Sequence, residues 1–285
     1  MENLTIGLQK SGRLSEKSIE LLKESGISLA NGSRKLLSSS QNFPLEAVFL
    51  RDDDIPQYVF DGVTDVGIVG ENVVREKGHE LQIVERLGFA RCRMSIALPK
   101  NVEYTGSGQL NGTRIATSYP NILRTFLTEN EIDAEIHVIS GSVEIAPGIG
   151  LADSIFDIVS TGSTLVSNGL KEVEKVMESE AVIVARPGLS PAKQEILDRL
   201  LFRINSVRKS RDNKYILLNA PNNRLKEIVD VIPGMKSPTI MPLAEEGWSS
   251  VHSVLNENKF WEIIDRLRDL GAQGILVIPI EKMII

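Results

Sequence analysis

Two stretches decide the layout of this chain, Asp61-Gly-Val-Thr-Asp65-Val-Gly-Ile-Val-Gly70-Glu-Asn-Val-Val74 and Asp153-Ser-Ile-Phe-Asp157-Ile-Val-Ser-Thr-Gly162-Ser-Thr-Leu-Val166. They align without gaps and are identical at four of fourteen positions: Asp61, Asp65, Gly70 and Val74 match Asp153, Asp157, Gly162 and Val166. Each carries a short apolar run into a glycine turn and then a helical pattern. Such a unit, occurring once per half, predicts two similar lobes with a ligand cleft between them, faced by both glycine turns.

The same alternation continues on either side. Leu4, Ile6 and Leu8 read as a strand, and Ser15 offers a helix cap ahead of Ile19, Leu21 and Leu22, with Gly26 as the stop. Val63 to Val69, Met94 to Leu98, Ile115 to Thr117, Ile136 to Ile139 and Ile155 to Val159 read as further short strands. Strands alternating with helices mean an α/β fold. After about Arg211 the rhythm changes to strand (Tyr215 to Leu218), helix (Arg224 to Val231), two strands (Thr239 to Leu243, Val251 to Leu255), helix, and a last strand (Gly274 to Ile280). In that last helix Phe260, Ile263, Ile264, Leu267 and Leu270 share one face, and Gly271 stops it. This order, βαββαβ, is the ferredoxin-like plan. The charged run Arg208 to Lys214 reads as the joint to it.

A length of 285 residues exceeds the usual domain of ~100–150, so two or three domains are expected. A net charge of -6 and a pI near 5.3 argue against nucleic acid as a partner, because affinity for a phosphate backbone comes from clustered Lys and Arg. Any phosphate must therefore be met locally. One cysteine, Cys92, excludes an intrachain disulfide and a cysteine-rich zinc site, and His79, His137 and His252 share no metal-ligand spacing. The N-terminal residues run straight into a strand pattern without a leader, and no stretch approaches the ~20 apolar residues of a membrane span. A cytoplasmic protein with no membrane partner is expected.

Thr161-Gly-Ser-Thr164, after the strand Ile155 to Val159, forms a turn whose amides and hydroxyls can converge on an anion at a helix start; it serves equally as a plain strand-to-helix turn. No GxxxxGK[ST] occurs, and Gly148-Ile-Gly150-Leu-Ala-Asp153 lacks the third glycine of a dinucleotide fingerprint. Lys10-Ser-Gly-Arg13-Leu14 places two cations after the first strand, where α/β folds bind ligands, although a solvated loop has the same composition. Arg51-Asp-Asp-Asp-Ile-Pro56 is compatible both with acidic surface and with a cation and carboxylates at the cleft.

Taken in order, Lys10 to Leu14, Arg51 to Pro56, Asp61-Gly62 with Asp65 to Glu71, Arg114 to Pro120, Glu144 to Leu165 and the tail resemble the ATP phosphoribosyltransferase family in its long form. The match departs at Gly148-Ile149, where some members carry Arg. The resemblance implies a two-lobed catalytic region like a periplasmic binding protein, with residues 1–91 and 180–211 in one lobe and 92–179 in the other. Residues 212–285 form a ferredoxin-like regulatory domain. It also implies a reaction in which N1 of the ATP adenine displaces pyrophosphate from C1 of phosphoribosyl pyrophosphate, with Mg2+. Feedback inhibition by L-histidine and assembly into homo-oligomers, dimers and hexamers, belong to the same expectation.

A ribose centre losing pyrophosphate gains positive character, so it calls for an anchored 5′-phosphate, nearby carboxylates and cations on the leaving group. By resemblance, Asp153, Asp157, Thr161, Gly162, Ser163 and Thr164 bind phosphoribosyl pyrophosphate. Arg13 and Lys10 meet phosphate charge, and Asp157 reaches ribose hydroxyls or metal. Glu71, Tyr119 and Glu144, with Arg13, contact ATP in the cleft. Asn219, Ser237 and Thr239 match the histidine effector site. Free-base transfer and non-catalytic solute binding are the rival readings, and the intact turn at Thr161 to Thr164 weighs against a catalytically dead regulatory subunit.

Overall fold

Leu4, Ile6 and Leu8 are fully buried, and the strand they form is covered on both faces, as parallel central strands are. The computed structural model describes residues 2–30, 36–232, 234 and 237–284. The chain opens as β1 (Leu4–Gln9), α1 (Arg13–Glu24), β2 (Leu37–Ser39), β3 (Leu45–Leu50), α2 (Ile55–Phe60), β4 (Val66–Gly70), α3 (Glu71–Lys77) and β5 (Gln82–Arg86). It crosses to a second sheet through β6 (Cys92–Pro99), β7 (Arg114–Thr117), α4 (Pro120–Glu129), β8 (Glu135–Val138), β9 (Ser154–Val159), α5 (Ser163–Ser167) and β10 (Leu170–Ser179). It returns through β11 (Ala181–Ala185) into α6 (Pro191–Arg211). The tail is β12 (Asn213–Pro221), α7 (Leu225–Val231), β13 (Thr239–Pro242), β14 (Trp248–Asn256), α8 (Glu257–Asp269) and β15 (Gln273–Pro279).

The chain packs as two units, Met1–Glu20 with Ile27–Leu197, and Leu21–Gly26 with Asp198–Ile285. The first unit holds two sheets, ordered β2-β3-β1-β4-β11-β5 and β10-β6-β9-β7-β8. Each has three parallel strands, β3-β1-β4 in one lobe and β9-β7-β8 in the other, next to an antiparallel pair. That pair is one ribbon running through both sheets: β5 continues as β6, β10 continues as β11, and they bond along the way, including Leu87 N–H to Ala181 O and Ala181 N–H to Phe89 O, both 2.9 Å. The aligned stretches behave alike at their helix starts, since α3 and α5 begin at matched positions behind the N-caps Gly70 and Gly162. Gly67 serves the packing: a Cβ there would lie 2.5 Å from the Ile55 methyl of α2.

In the second unit the sheet order β13-β14-β12-β15, all antiparallel, is the ferredoxin-like arrangement. Ile216, Leu218, Val251 and Leu255 point to the face that packs on Ile228 of α7 and Phe260 and Leu267 of α8.

Two local expectations differ from the structure, and five strands, β2, β3, β5, β10 and β11, were not anticipated. Ser15 is no cap, because α1 already begins at Arg13 and Ser15 is buried in its first turn. The charged run Arg208 to Lys214 is no linker: α6 has no Gly or Pro after Pro191, buries Ile196, Leu197, Leu200, Ile204 and Val207, and stays helical to Arg211. Among the strands, β10 gave no apolar alternation, because Lys171, Glu172, Glu174, Lys175 and Glu178 populate it and register shifts at 172/174 and 175/177 break the two-residue period.

Asp65, fully buried ahead of β4, ties the first lobe together. Its carboxylate accepts from Thr5 N–H (2.9 Å), Thr5 Oγ1 (2.8 Å) and Lys193 Nζ (2.7 Å), with Arg186 at 3.5 Å. Burial by itself pushes this carboxyl up, and the bonds from Lys193 and Thr5 outweigh it and hold it below the usual carboxylate range. Asp65→Ala should cost up to ~3–5 kcal/mol, read as a lower urea midpoint, by leaving the half-buried Lys193 ammonium and the Thr5 donors without their carboxylate, and Asp65→Asn less. A depressed pKa gives stability that is whole above the unfolded value near ~4 and fades as pH falls through the folded one. The gap between wild type and variant should therefore be full at pH 7 and shrink in acid.

Candidate active site

In both lobes the parallel strands deliver chemistry-bearing residues at their carboxyl ends. After β1 come Lys10 and Arg13, both exposed; after β3 comes Arg51; none has an acidic partner among the described residues. Lys10 is fixed by its backbone, N–H to Leu50 O at 2.8 Å. Gly12, at φ +96°, makes the turn that leads into Arg13, the first residue of α1.

After β9 the chain makes the Thr161 to Thr164 turn. Gly162 takes φ +81°, open to glycine without strain, and Thr161 Oγ1 and Ser163 Oγ lie 3.0 Å apart. The hydroxyl residues are exposed, and no acceptor among the described residues takes the N–H of Thr161 or Gly162. Arg93 supports the turn from behind: two of its N–H groups bond the Glu172 carboxylate, and Nη1 donates to the Ser160 carbonyl at 3.1 Å. Arg93 and Ser160, just ahead of the turn, line a cavity of about 630 Å³ together with Arg86, Arg91, Cys92 and Glu180.

Carboxylates of the two lobes meet around Tyr119. Its phenol is pushed up by burial, then by the negative charges of Asp157, Asp53 and Asp52, and Asp53 lines a cavity together with it. Asp157 is itself raised by burial, with Glu144 adding to the effect and the Ile158 N–H bond opposing it. Asp52 is raised to about 6 by burial and by Asp53, and its Oδ1 is buried with no partner among the described residues. Among the described residues, no group of three or more His, Cys, Asp or Glu side chains can hold a metal ion.

The family model for ATP phosphoribosyltransferase matches residues 51–206, and that for the C-terminal domain of the same enzyme matches 210–282. The chain belongs to the ATP phosphoribosyltransferase family. It is 60% identical to the ATP phosphoribosyltransferase of Bacteroides thetaiotaomicron over 282 residues, 99% of this chain and all of that one. It is 59% identical to that of Cytophaga hutchinsonii over 281 residues, 99% of this chain and 98% of the relative. Among solved structures it resembles the ATP phosphoribosyl transferase (HisG:HisZ) complex from Thermotoga maritima, at TM-score 0.61 and 30% identity over 71% of this chain and 98% of that one. A histidine kinase sensor domain similar to periplasmic binding proteins, at TM-score 0.50 and 12% identity over 73% of this chain and 90% of that one, shares the fold alone. The chain is thus a pentosyltransferase of the long form, using ATP and phosphoribosyl pyrophosphate in the first step of histidine biosynthesis.

For an ATP phosphoribosyltransferase, the charge of Glu144 acts on Asp157 and that of Asp157 on Tyr119, while two other expected residues are engaged elsewhere. Asp153 precedes β9 while Thr161 follows it, and the six-residue strand between them is ~20 Å long. The Asp153 carboxylate is instead bonded by Arg114, through N–H at 2.9 Å and Nη2 at 3.0 Å, which lowers its pKa. Glu71 is buried and bonded by Arg86, with Arg75 at 3.3 Å, so its pKa is lowered and its oxygens are already engaged in an ion pair beside the ribbon. Asn219 and Thr239 lie on the open face of the tail sheet, on β12 and β13 with β14 between them, and Ser237 is exposed just before β13. Sequence reading missed the row beside them, Tyr215 Oη to His252 Nδ1 (2.7 Å) and Ser250 Oγ to His252 Nε2 (2.9 Å). It left Arg93 without a role and read Asp52 and Asp53 only as either acidic surface or cleft carboxylates.

The raised Asp52 carboxyl makes a pH prediction. A folded pKa above the unfolded one gives stability that is present below the unfolded value and lost as pH rises through about 6. Asp52→Asn should therefore leave the melting temperature nearly unchanged at pH 4 and raise it at pH 8, by up to roughly 1–3 kcal/mol of stability. Parallel melting profiles for the two proteins across that range would remove the strained carboxylate from the site.

Proposed function

We propose that the cleft performs the transfer with the second lobe holding phosphoribosyl pyrophosphate and the first lobe meeting phosphate charge. The observation that carries this is the Thr161 to Thr164 turn, exposed, with free N–H groups and paired hydroxyls at the carboxyl end of a parallel strand. The 5′-phosphate sits there, and Asp157 reaches the ribose hydroxyls. As the bond from C1 to pyrophosphate lengthens, the ribose ring gains positive charge in the field of Asp157, Asp52 and Asp53, while Lys10, Arg13 and Arg51 take up charge on the leaving group. N1 of adenine attacks with its own lone pair, so no strong base is needed. Tyr119 and Glu144 border the adenine side. Asp153 and Glu71 hold structure and touch no substrate.

Mg2+ belongs to this reading as an ion carried on pyrophosphate, keeping most of its waters. The described residues do not fit a protein-held cage. A cytoplasmic location follows the biosynthetic role. Residues 1–91 with 180–211, 92–179 and 212–285 are the first lobe, second lobe and regulatory domain of the same proposal.

The tail senses L-histidine on the open sheet face. An amino acid presents an ammonium and a carboxylate, which the amide, hydroxyl and imidazole groups of Asn219, Ser237, Thr239 and His252 can satisfy. Gly274, at φ +57°, leaves room there: a Cβ would lie 3.1 Å from Asn219 Nδ2. Self-association into dimers and hexamers fits the exposed Met241, Leu276 and Ile278 in the tail.

Losing a hydrogen bond to a charged group costs ~1.5–3 kcal/mol, so Thr164→Ala should raise the phosphoribosyl pyrophosphate requirement roughly ten- to a hundredfold in steady-state kinetics. Unchanged kinetics in the folded variant would remove the turn from the site. Asn219→Ala combined with Thr239→Ala should shift the histidine inhibition curve several-fold to higher concentration while turnover without histidine stays the same. Superimposable curves would exclude this effector site.

A further inference from the structure

Helix α4 starts without a cap of its own. Its N-cap residue, Tyr119, has no side-chain acceptor for the first turn, and Pro120 at the first position has no N–H. The next two N–H groups are taken by a residue of the other lobe. Glu76, on α3 and buried, accepts from Asn121 N–H at 3.0 and 3.1 Å and from Ile122 N–H at 3.0 Å, while Asn121 Nδ2 donates to the Glu76 carbonyl at 2.9 Å. A carboxylate at a helix N-terminus satisfies orphan donors and the helix dipole together. Glu76 also borders a cavity of about 330 Å³ with Asp53 of its own lobe and Tyr119 of the other.

The chain itself joins the lobes only at the ribbon, through 87–91 and Glu180. The Glu76 bonds are a second tether, made by side chain to the helix that follows Tyr119. We propose that Glu76 is a positioning residue for the transfer: by capping α4 across the lobes, it fixes the spacing between the cations after β1 and β3 and the turn after β9. Substrate entry that requires the lobes to part must release the Asn121 and Ile122 amides first. The inference rests on the reading of Thr161 to Thr164 as the phosphate turn, which lies entirely in the second lobe. Binding of phosphoribosyl pyrophosphate alone should then survive loss of the tether, whereas transfer, which needs both lobes, should not.

The test uses the full-length protein, its Glu76→Ala and Glu76→Gln variants, and three readouts. These are hydrogen exchange at the Asn121 and Ile122 amides, calorimetric affinity for phosphoribosyl pyrophosphate without ATP, and turnover with both substrates. In Glu76→Ala the two amides should exchange at least tenfold faster, affinity should stay within about twofold, and kcat should fall at least tenfold. Glu76→Gln keeps one acceptor oxygen without the charge and should recover part of the turnover. Wild-type kcat in Glu76→Ala overturns the proposal. So does a loss of kcat matched by an equal loss of affinity and a lower melting temperature, which marks general damage. A wild type that binds no phosphoribosyl pyrophosphate refutes the phosphate turn instead, and the tether is then judged on exchange and turnover.

Discussion

The antiparallel ribbon that passes from β5 to β6 and back from β10 to β11 is the constraint on which the catalytic unit depends. Both lobes hang their parallel strands from it: β4 bonds β11 in one sheet, and β9 bonds β6 in the other. Because the ribbon is bonded straight through the crossing, the carboxyl ends of β1, β3 and β4 are held toward those of β7 and β9. Glu71 N–H donates to the Glu180 carbonyl at 3.0 Å, and Asn72 N–H and Ser179 Oγ are bonded at 3.0 Å, so α3 is pinned at the crossing. The ion pair of buried Glu71 with exposed Arg86 belongs to this joint.

An acidic protein that handles two polyphosphates must solve its electrostatics locally. Two aspartates of the first lobe show how. Asp65 is buried and surrounded by donors, its charge stabilised by Lys193 and Thr5, and it serves the fold. Asp52 is half-buried beside Asp53, with one oxygen buried and without a partner among the described residues, and its charge is disfavoured. Exposed Lys10, Arg13 and Arg51, without an acidic partner among the described residues, complete the contrast. Opposite charges left uncompensated in the protein are available to a substrate that itself separates charge.

Much of this was legible in residues. β1 was read from the alternation of Leu4, Ile6 and Leu8, β4 and β9 from short apolar runs, and the repeated glycines Gly70 and Gly162 mark the helix starts correctly. The charged strand β10 was hidden by its register shifts, and α6 was misread because a surface run of Arg and Lys resembles a linker when the buried face is not in view. Asp153 was grouped with Asp157 because both lie in one motif, yet a motif says nothing about which end of a strand a residue occupies. Glu76 was invisible for a different reason: its partner lies 45 residues away, and only the absence of a Ser, Thr, Asp or Asn cap before Pro120 hints that another element must supply one.

ATP, and not a free base, is the nucleophile proposed for the cleft that both lobes complete. Pyrophosphate release by the purified protein, measured with ATP and phosphoribosyl pyrophosphate together, with each omitted, and with adenine in place of ATP, tests it directly. Release should require both substrates and match, one for one, the phosphoribosyl-ATP formed, with adenine giving none. Release that persists without ATP, or that adenine supports equally well, would contradict the account.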